Sequence, residues 1–238
     1  MKLYQEQFRI RYSDCDRFGK LKLHSILDYG QEIGGIHATR LGFGDQMREQ
    51  HHLAWVLSRV KIKMYEYPES ETTVKVTTWP SGFNRAFATR ECRFTTGTTD
   101  RVFAESTSFW LLVNIDTQKL VIAQRELADF NLGDANAEHI FNDVGKLNGN
   151  PDAPIMDSFQ IYEHQIDVNL HLNNTEYASL VQDTLGVGYY PTELQINYQK
   201  EIPPQSTVVI RGQRDESSFA MTGYVDGAES FNAVGKFH

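Results

Sequence analysis

The order of predicted elements repeats along the chain, and this repeat constrains the fold more than any other feature. The first half is predicted to hold a strand over 7–12, a helix with an apolar face, and four strands between residues 55 and 115. The second half repeats this order with a strand over 158–164, a helix after residue 173, and four strands from residue 193. Such a repeat predicts an α+β protein in which each helix packs on an antiparallel sheet.

Matching residues support a duplication. IRYSDCD at 10–16 aligns with IYEHQID at 161–167, and a second alignment places Glu66 opposite Glu201 and Pro68 opposite Pro203. Residues 126–157 are rich in Asn, Asp, Gly and Pro, with at most a short helical piece over 137–144. We therefore expect a first domain over 1–125, a linker over 126–157 and a second domain over 158–238.

The segment DVNLHLNN at 167–174 carries the candidate chemistry. Four polar residues occupy alternate positions in it: Asp167, Asn169, His171 and Asn173. An extended backbone would place all four on one side, with the apolar residues between them anchoring the other. A helix is predicted to begin at Asn173 or Asn174, with Asn173 and Glu176 forming a capping box.

This combination suits the transfer of an acyl group to water. An imidazole with a pKa of about 6.5 can move a proton near neutral pH, and Asn169 or the first amides of the helix can bond an oxyanion. The same residues also fit a polar strand edge before an ordinarily capped helix. The first copy lacks the set, because its equivalents are Phe18, Lys20 and Lys22, so we expect one site per chain.

Composition and charge exclude several classes of function. A net charge of -8, from 23 basic and 31 acidic residues, argues against general binding of nucleic acid or of an anionic membrane surface. The most apolar run, FWLLVNI at 109–115, is too short to span a bilayer, and the first residues lack the apolar core of a signal peptide. We expect a cytoplasmic protein without membrane insertion. Cys15 and Cys92 are predicted to be free thiols, and no set of residues has metal-ligand spacing, so we expect no metal and no cofactor.

The repeated unit, with DVNLHLNN leading into the second helix, resembles the tandem hotdog fold and, more specifically, the fatty acyl-ACP thioesterases of plants and bacteria. The resemblance covers nearly the whole chain and rests on DVNLHLNN, on Glu201 in NYQKEIPP and on RYSDCDRFGK at 11–20. It implies two hotdog domains, each an antiparallel sheet wrapped around a long central helix. It also implies hydrolysis of acyl-ACP to free fatty acid and acyl carrier protein in fatty acid biosynthesis.

The resemblance assigns the catalytic site to Asp167, Asn169, His171 and Glu201. Glu201 would activate a water or attack the thioester directly, and His171 would shuttle the proton. Asn169 would bond the carbonyl or orient the attacker, and Asp167 would fix the geometry. Plant members commonly have a cysteine directly after the glutamate, and Ile202 at that position excludes a cysteine nucleophile there.

Substrate contacts are expected in both halves. Asn173 and Asn174 would bind near the thioester, whereas Ile26, Ile33 and Trp55 are candidates for lining an acyl-chain pocket in the first half. Glycines 30, 34 and 35 interrupt the first helix and predict close approach of a neighbouring element or ligand. A basic docking surface for the acidic carrier protein is predicted from Lys61, Lys63, Arg85, Arg90, Arg93 and Arg101. Both a monomer and a homodimer fit a tandem hotdog.

Two other functions use the same fold. An acyl-CoA thioesterase of the hotdog superfamily would use the same catalytic groups with a different carrier. The relative activity on acyl-ACP and acyl-CoA distinguishes these two hypotheses. A non-catalytic acyl-binding protein would bind acyl chains without turnover, and the intact polar set argues against it. A hotdog dehydratase is disfavoured because the match extends through Glu201.

Overall fold

The computed structural model describes residues 3–97, 99–127 and 137–237. Its helices are α1 (Leu23–Arg40), α2 (Asp45–His51), α3 (Ala123–Glu126) and α4 (Glu176–Leu185). Its strands are β1 (Tyr4–Arg9), β2 (Leu53–Met64), β3 (Thr73–Asn84), β4 (Phe87–Thr96), β5 (Val102–Asn114), β6 (Lys119–Val121), β7 (Ile155–Gln160), β8 (Glu193–Tyr198), β9 (Thr207–Arg214), β10 (Ser218–Val225) and β11 (Ala228–Lys236).

The strands form one antiparallel sheet in the order β1-β3-β4-β5-β2-β8-β11-β10-β9-β7, and β6 pairs with β5. Strands β2 and β8 join the two halves, with Val60 opposite Ile196 and Ile62 opposite Leu194. Reading outward from this pair, each half repeats the same strand order and the same connections. The two halves are therefore related by an approximate twofold axis, as the repeat in the sequence predicts.

Helices α1 and α4 share one hydrophobic core with the inward-facing residues of the strands. Ile26 and Ile33 of α1 are fully buried in it, and burial of a side chain of this size contributes about 1.5–3 kcal/mol. The helices also contact each other: the Thr175 hydroxyl, just before α4, donates to the Asp28 carboxylate at 2.5 Å. Two antiparallel half-sheets wrapped around helices confirm the predicted tandem hotdog architecture. The second helix has ten residues and the first has 18, so only α1 is long.

The connection between the halves lies on the outer face of the sheet. Cys92 faces Gly30 of α1, so its neighbour Glu91 points to the opposite face, where its carboxylate accepts from the Ile140 amide at 3.3 Å. The Phe141 amide donates to the Thr107 hydroxyl at 3.1 Å. Because these amides bond to the sheet, the predicted helical piece over 137–144 does not form. Residues 128–136 of the predicted linker lie outside the described residues.

The start of the chain differs from prediction. Strand β1 covers Tyr4–Arg9, three residues before the predicted strand over 7–12, and a single 3-10 turn follows at Tyr12–Asp14. Asp14 produces this shift because its carboxylate accepts from the Arg11 amide at 2.9 Å and ends the extended backbone. Tyr12, the last residue of the predicted strand, is exposed.

Candidate active site

The polar segment before α4 forms a tight turn and not the extended strand that the alternation predicts. The Asp167 amide donates to the His171 carbonyl, and the Leu170 amide donates to the Asp167 carbonyl, both at 3.0 Å. Leu170 takes the left-handed backbone conformation, with φ of 67°. Val168 and Leu170 are 94% and 78% exposed, so they do not anchor the segment as predicted. The turn folds back on itself and brings the side chains of Asp167 and His171 together.

A chain of contacts links the four predicted catalytic residues, from Glu201 through His171 and Asp167 to Asn169. The His171 ring lies between two carboxylates, with Nδ1 4.0 Å from Asp167 Oδ1 and Nε2 3.7 Å from Glu201 Oε1. Asn169 completes the group, because its backbone amide and its side-chain Nδ2 donate to the Asp167 carboxylate at 2.8 and 3.4 Å. The His171 and Asp167 side chains are 17% and 15% exposed, whereas Glu201 is 71% exposed. A reactant can therefore reach Glu201 from solvent.

The tautomer of His171 follows from its backbone contact. Its Nδ1 lies 3.3 Å from the Leu172 carbonyl oxygen, which can only accept a hydrogen bond. Nδ1 therefore carries hydrogen, and Nε2 is the nitrogen that can exchange a proton with Glu201 or with a reactant between them.

A backbone hydrogen bond sets the position of Glu201. The Leu172 amide donates to the Ile202 carbonyl at 2.8 Å, which fixes the loop after β8 against the turn. Ile202 itself is fully buried, so the residue that follows Glu201 anchors the loop. The Tyr198 hydroxyl, at the end of β8, adds a bond to the Asn174 carbonyl at 2.9 Å.

The second helix begins at Glu176, two or three residues later than predicted. The Asn173 side-chain oxygen accepts from the Thr175 amide at 2.9 Å, so Asn173 caps a turn that precedes Glu176. The predicted capping box is absent, because the Glu176 carboxylate instead accepts from the Gln165 side chain at 3.4 Å. Of the two asparagines predicted to bind substrate, Asn173 thus uses its amide oxygen within the turn, and Asn174 uses its carbonyl for Tyr198.

The first copy has the same turn with different chemistry. The Leu21 amide donates to the Pro68 carbonyl, and the equivalent Leu172 amide donates to the Ile202 carbonyl, so Pro68 corresponds to Ile202. The residue before each is then Tyr67 in the first copy and Glu201 in the second, so the counterpart of Glu201 is Tyr67 and not Glu66. The predicted alignment of Glu66 with Glu201 is therefore wrong by one residue. Glu66 pairs instead with Arg101 on the surface.

Tyr190 occupies the space beside the first-copy turn. Its hydroxyl donates to the Asp16 carboxylate at 2.5 Å, its ring packs edge-on against Tyr67, and Lys20 lies 4.4 Å from the ring centre. Burial alone would raise the pKa of Asp16, but the hydrogen bonds from Tyr190 and from two backbone amides outweigh it and lower that pKa. A surface cleft of about 600 Å³ runs beside Asp16 and Tyr190, and none of the four predicted catalytic residues lines it.

The predicted acyl-pocket residues fall into two separate clusters. Ile26 and Ile33 are sealed in the main core, whereas Trp55 is half-buried in a second cluster beneath α2. The close approach predicted for the helix glycines occurs at two of them. A β-carbon at Gly30 would lie 3.5 Å from Phe94, and one at Gly34 would lie 3.4 Å from Arg90, whereas one at Gly35 would meet open space.

The predicted basic docking surface is largely neutralised by ion pairs. Arg93 contacts Glu105 at 2.8 Å and Glu138 at 2.7 Å, and Lys61 lies 3.8 Å from Glu193. Arg90 points inward, where it contacts His37 and Thr78, each at 3.2 Å. The structure therefore contradicts a continuous basic patch built from these arginines and lysines.

Sequence reasoning missed one contact in the site. Arg48 of α2 donates from Nη1 to the Asn169 side-chain oxygen at 3.2 Å, although the two residues are 121 positions apart. The pattern DVNLHLNN gives no sign of this partner, because the contact depends on how the two halves pack.

Among the described residues, no group of three His, Cys, Asp or Glu side chains is arranged to hold a metal ion. Cys15 and Cys92 are free, and burial raises the pKa of both thiols.

Comparison with known proteins gives the family of this chain. The model for the acyl-ACP thioesterase N-terminal domain matches residues 1–130, and the model for the C-terminal domain matches residues 149–236. Similar proteins include oleoyl-acyl carrier protein thioesterase 1 of Arabidopsis thaliana, a chloroplastic protein, at 26% identity over 86% of this chain and 62% of that protein. Dodecanoyl-[acyl-carrier-protein] hydrolase of Umbellularia californica is 22% identical over 87% of this chain and 58% of that protein. The chain thus spans less than two thirds of the length of these curated relatives.

Solved structures show the same fold. An acyl-ACP thioesterase from Bacteroides thetaiotaomicron superposes with a TM-score of 0.86 at 18% identity, over 99% of this chain and 98% of that one. The 12:0-ACP thioesterase from Umbellularia californica gives a TM-score of 0.85 at 20% identity, over 99% and 97%. No helix within the described part of the chain is long and apolar enough to cross a membrane.

Proposed function

Because the chain belongs to the acyl-ACP thioesterase family, we propose that it hydrolyses the thioester of an acyl-acyl carrier protein to free fatty acid and the carrier protein thiol. One observation carries the proposal: the side chains of Asp167, Asn169, His171 and Glu201 converge in the second copy, where three elements of hydrolytic chemistry meet. These are a proton carrier, an exposed carboxylate and an amide donor. The first copy lacks all but the aspartate.

In this proposal water, and not Glu201 itself, attacks the thioester. Nε2 of His171 and Oε1 of Glu201 are 3.7 Å apart, a separation at which one water can hydrogen-bond to both atoms. In the proposed reaction Glu201 orients this water, and Nε2 of His171 takes its proton as the water oxygen bonds to the thioester carbon. Asn169 donates to the oxyanion, and the carbon–sulfur bond then breaks as His171 returns a proton to the leaving thiolate. Asp167 holds Asn169 and faces the histidine ring.

Contacts with the acyl chain are proposed in the first half. Trp55 belongs to a hydrophobic cluster that includes Met47 of α2, the helix that reaches the site through Arg48. A chain leaving the thioester toward α2 would meet this cluster first. A longer chain would have to part the packed core around Ile26 and Ile33, between α1 and the sheet. Asn173 and Asn174 would act beside the thioester through the turn that they stabilise.

The organisation of the chain is part of the proposal. We assign residues 1–125 to the acyl-chain domain, 126–157 to the connection and 158–238 to the domain that carries the chemistry. A cytoplasmic location and a role in fatty acid biosynthesis are proposed from the sequence, whereas the curated plant relatives are chloroplastic. The carrier protein is the expected acyl donor.

The test compares two carriers. Release of free fatty acid is measured on matched panels of acyl-ACP and acyl-CoA that carry the same acyl chains. The proposal predicts a higher kcat/KM on acyl-ACP for at least one chain length. Higher kcat/KM on every acyl-CoA would replace it with an acyl-CoA thioesterase, and binding without turnover on either panel would leave an acyl-binding protein.

A further inference from the structure

Helix α2 is present only in the first half. It lies between α1 and β2, whereas residues 186–192, the matching connection between α4 and β8, contain no helix. Arg48 on α2 reaches across the approximate twofold axis, and its Nη1 lies 3.2 Å from Asn169 Oδ1. The second-half connection instead places Tyr190 over the first-copy turn. The two turns are thus covered differently, and the turn with the catalytic set faces Arg48.

The contact matters because a side-chain amide can point either way round. Asn169 has Asp167 Oδ2 at 3.4 Å on its nitrogen side and Arg48 Nη1 at 3.2 Å on its oxygen side. A carboxylate only accepts hydrogen bonds and a guanidinium only donates them. If the Asn169 amide were rotated by 180°, its oxygen would face the Asp167 carboxylate and its nitrogen would face the Arg48 guanidinium. Both contacts would then be repulsive. Arg48 and Asp167 therefore select the same orientation.

This orientation decides which role Asn169 can play. Its oxygen is engaged by Arg48, so it is not free to accept a hydrogen bond from an attacking water. Its NH2 group uses one hydrogen on Asp167 and keeps the second for another acceptor. A hydrogen bond to the amide oxygen also polarises the amide and strengthens its N–H as a donor.

We propose that Arg48 is a positioning residue that fixes the Asn169 amide as a donor to the oxyanion of the thioester. The inference rests on the proposed hydrolytic function. It assigns Asn169 to stabilising charge on the carbonyl oxygen and not to orienting the attacker. Arg48 acts through Asn169 and need not touch the reacting atoms.

A double-mutant cycle tests the proposal kinetically. Asn169→Ala is expected to lower kcat by about 100-fold or more, as loss of one oxyanion donor does. Arg48→Ala is expected to lower kcat by about tenfold with KM unchanged, and Arg48→Lys to recover part of the loss. In the Asn169→Ala background, Arg48→Ala should change kcat by less than about twofold. Gln50→Ala, an exposed position on the same helix, is the matched control and should retain activity.

Two kinetic outcomes would overturn the proposal. A full further loss in the double variant would mean that Arg48 acts independently of Asn169. A rise in KM with unchanged kcat would mean that Arg48 contacts the carrier instead. A second measurement needs no turnover: the side-chain amide resonances of Asn169, identified by their loss in Asn169→Ala, should shift in Arg48→Ala and stay unchanged in Gln50→Ala. Unshifted resonances would refute the contact, whereas absence of turnover in the intact protein would refute only the hydrolytic function.

Discussion

Leu170 offers a sharp test of how the catalytic turn is built. It is a branched residue with φ of 67°, and Gly19, with φ of 77°, occupies the equivalent position in the first copy. The left-handed conformation costs an ordinary residue about 1–2 kcal/mol, and glycine escapes this cost. A glycine also lowers the stability of the folded protein by about 0.5–1 kcal/mol, because it gives the unfolded chain more conformational freedom. Because Leu170 is 78% exposed, little packing is lost, so Leu170→Gly should stabilise the protein by about 0.5–1 kcal/mol.

Val168→Gly is the matched control for this prediction. Val168 is 94% exposed in the same turn and does not have a positive φ, so glycine there should cost about 0.5–1 kcal/mol. Urea denaturation measures both variants, and their free energies of unfolding should differ by about 1–2 kcal/mol in favour of Leu170→Gly. If Leu170→Gly proved as destabilising as Val168→Gly, the argument that the turn stores backbone strain would be refuted. The more flexible turn should also lower kcat, since it holds Asp167 and His171 less firmly.

Three other substitutions probe the frame around the site. Tyr190→Phe removes the hydroxyl that bonds Asp16, and should cost about 1–2 kcal/mol in urea denaturation while leaving turnover unchanged; lost turnover would contradict an inactive first copy. The pKa of Asp14 is lowered because hydrogen bonds from an arginine and a tyrosine outweigh the effect of its burial. The ionised carboxylate therefore stabilises the folded protein above the unfolded carboxyl pKa of about 3.9, and this stabilisation is lost as the pH falls through the lower pKa of the folded state. Stability measured against pH should therefore fall less steeply with acid in Asp14→Ala, and an unchanged acid slope would contradict the assignment. Gly34→Leu should displace Arg90, cost about 1–3 kcal/mol in urea and shift the acyl-chain preference; an unchanged product profile would count against a pocket at this point.

Local pattern was sufficient to predict much of the fold. The strands β2 to β5 and the helix α1 follow directly from runs of β-branched and aromatic residues and from helical spacing. Alternation failed at 167–173, because a tight turn closed by a left-handed residue shows the same polar and apolar sequence as a strand. The exact alignment of the two copies also could not be predicted from the pattern, because the counterpart of Glu201 is Tyr67 and not Glu66.

Contacts between the halves could not be predicted. Arg48 meets Asn169, and Tyr190 meets Asp16, only because two segments more than a hundred residues apart pack together. Neither arginine nor tyrosine stands in a local motif that would reveal its partner. The ion pairs that interrupt the predicted basic patch could not be predicted for a similar reason, since the acidic partners of Lys61 and Arg93 come from other strands and from the connection.

The duplication supplies internal controls for the assignment of the catalytic residues to the second copy. His171 and Lys20 occupy equivalent positions in the two turns, and Glu201 and Tyr67 occupy equivalent positions after the paired strands. The most direct measurement is therefore single-turnover hydrolysis of an acyl-ACP by four folded variants: His171→Ala, Lys20→Ala, Glu201→Gln and Tyr67→Phe. We expect losses of at least about 100-fold for the two second-copy variants and near-native rates for their first-copy counterparts. Equal losses in both copies, or retained turnover in His171→Ala, would contradict this assignment.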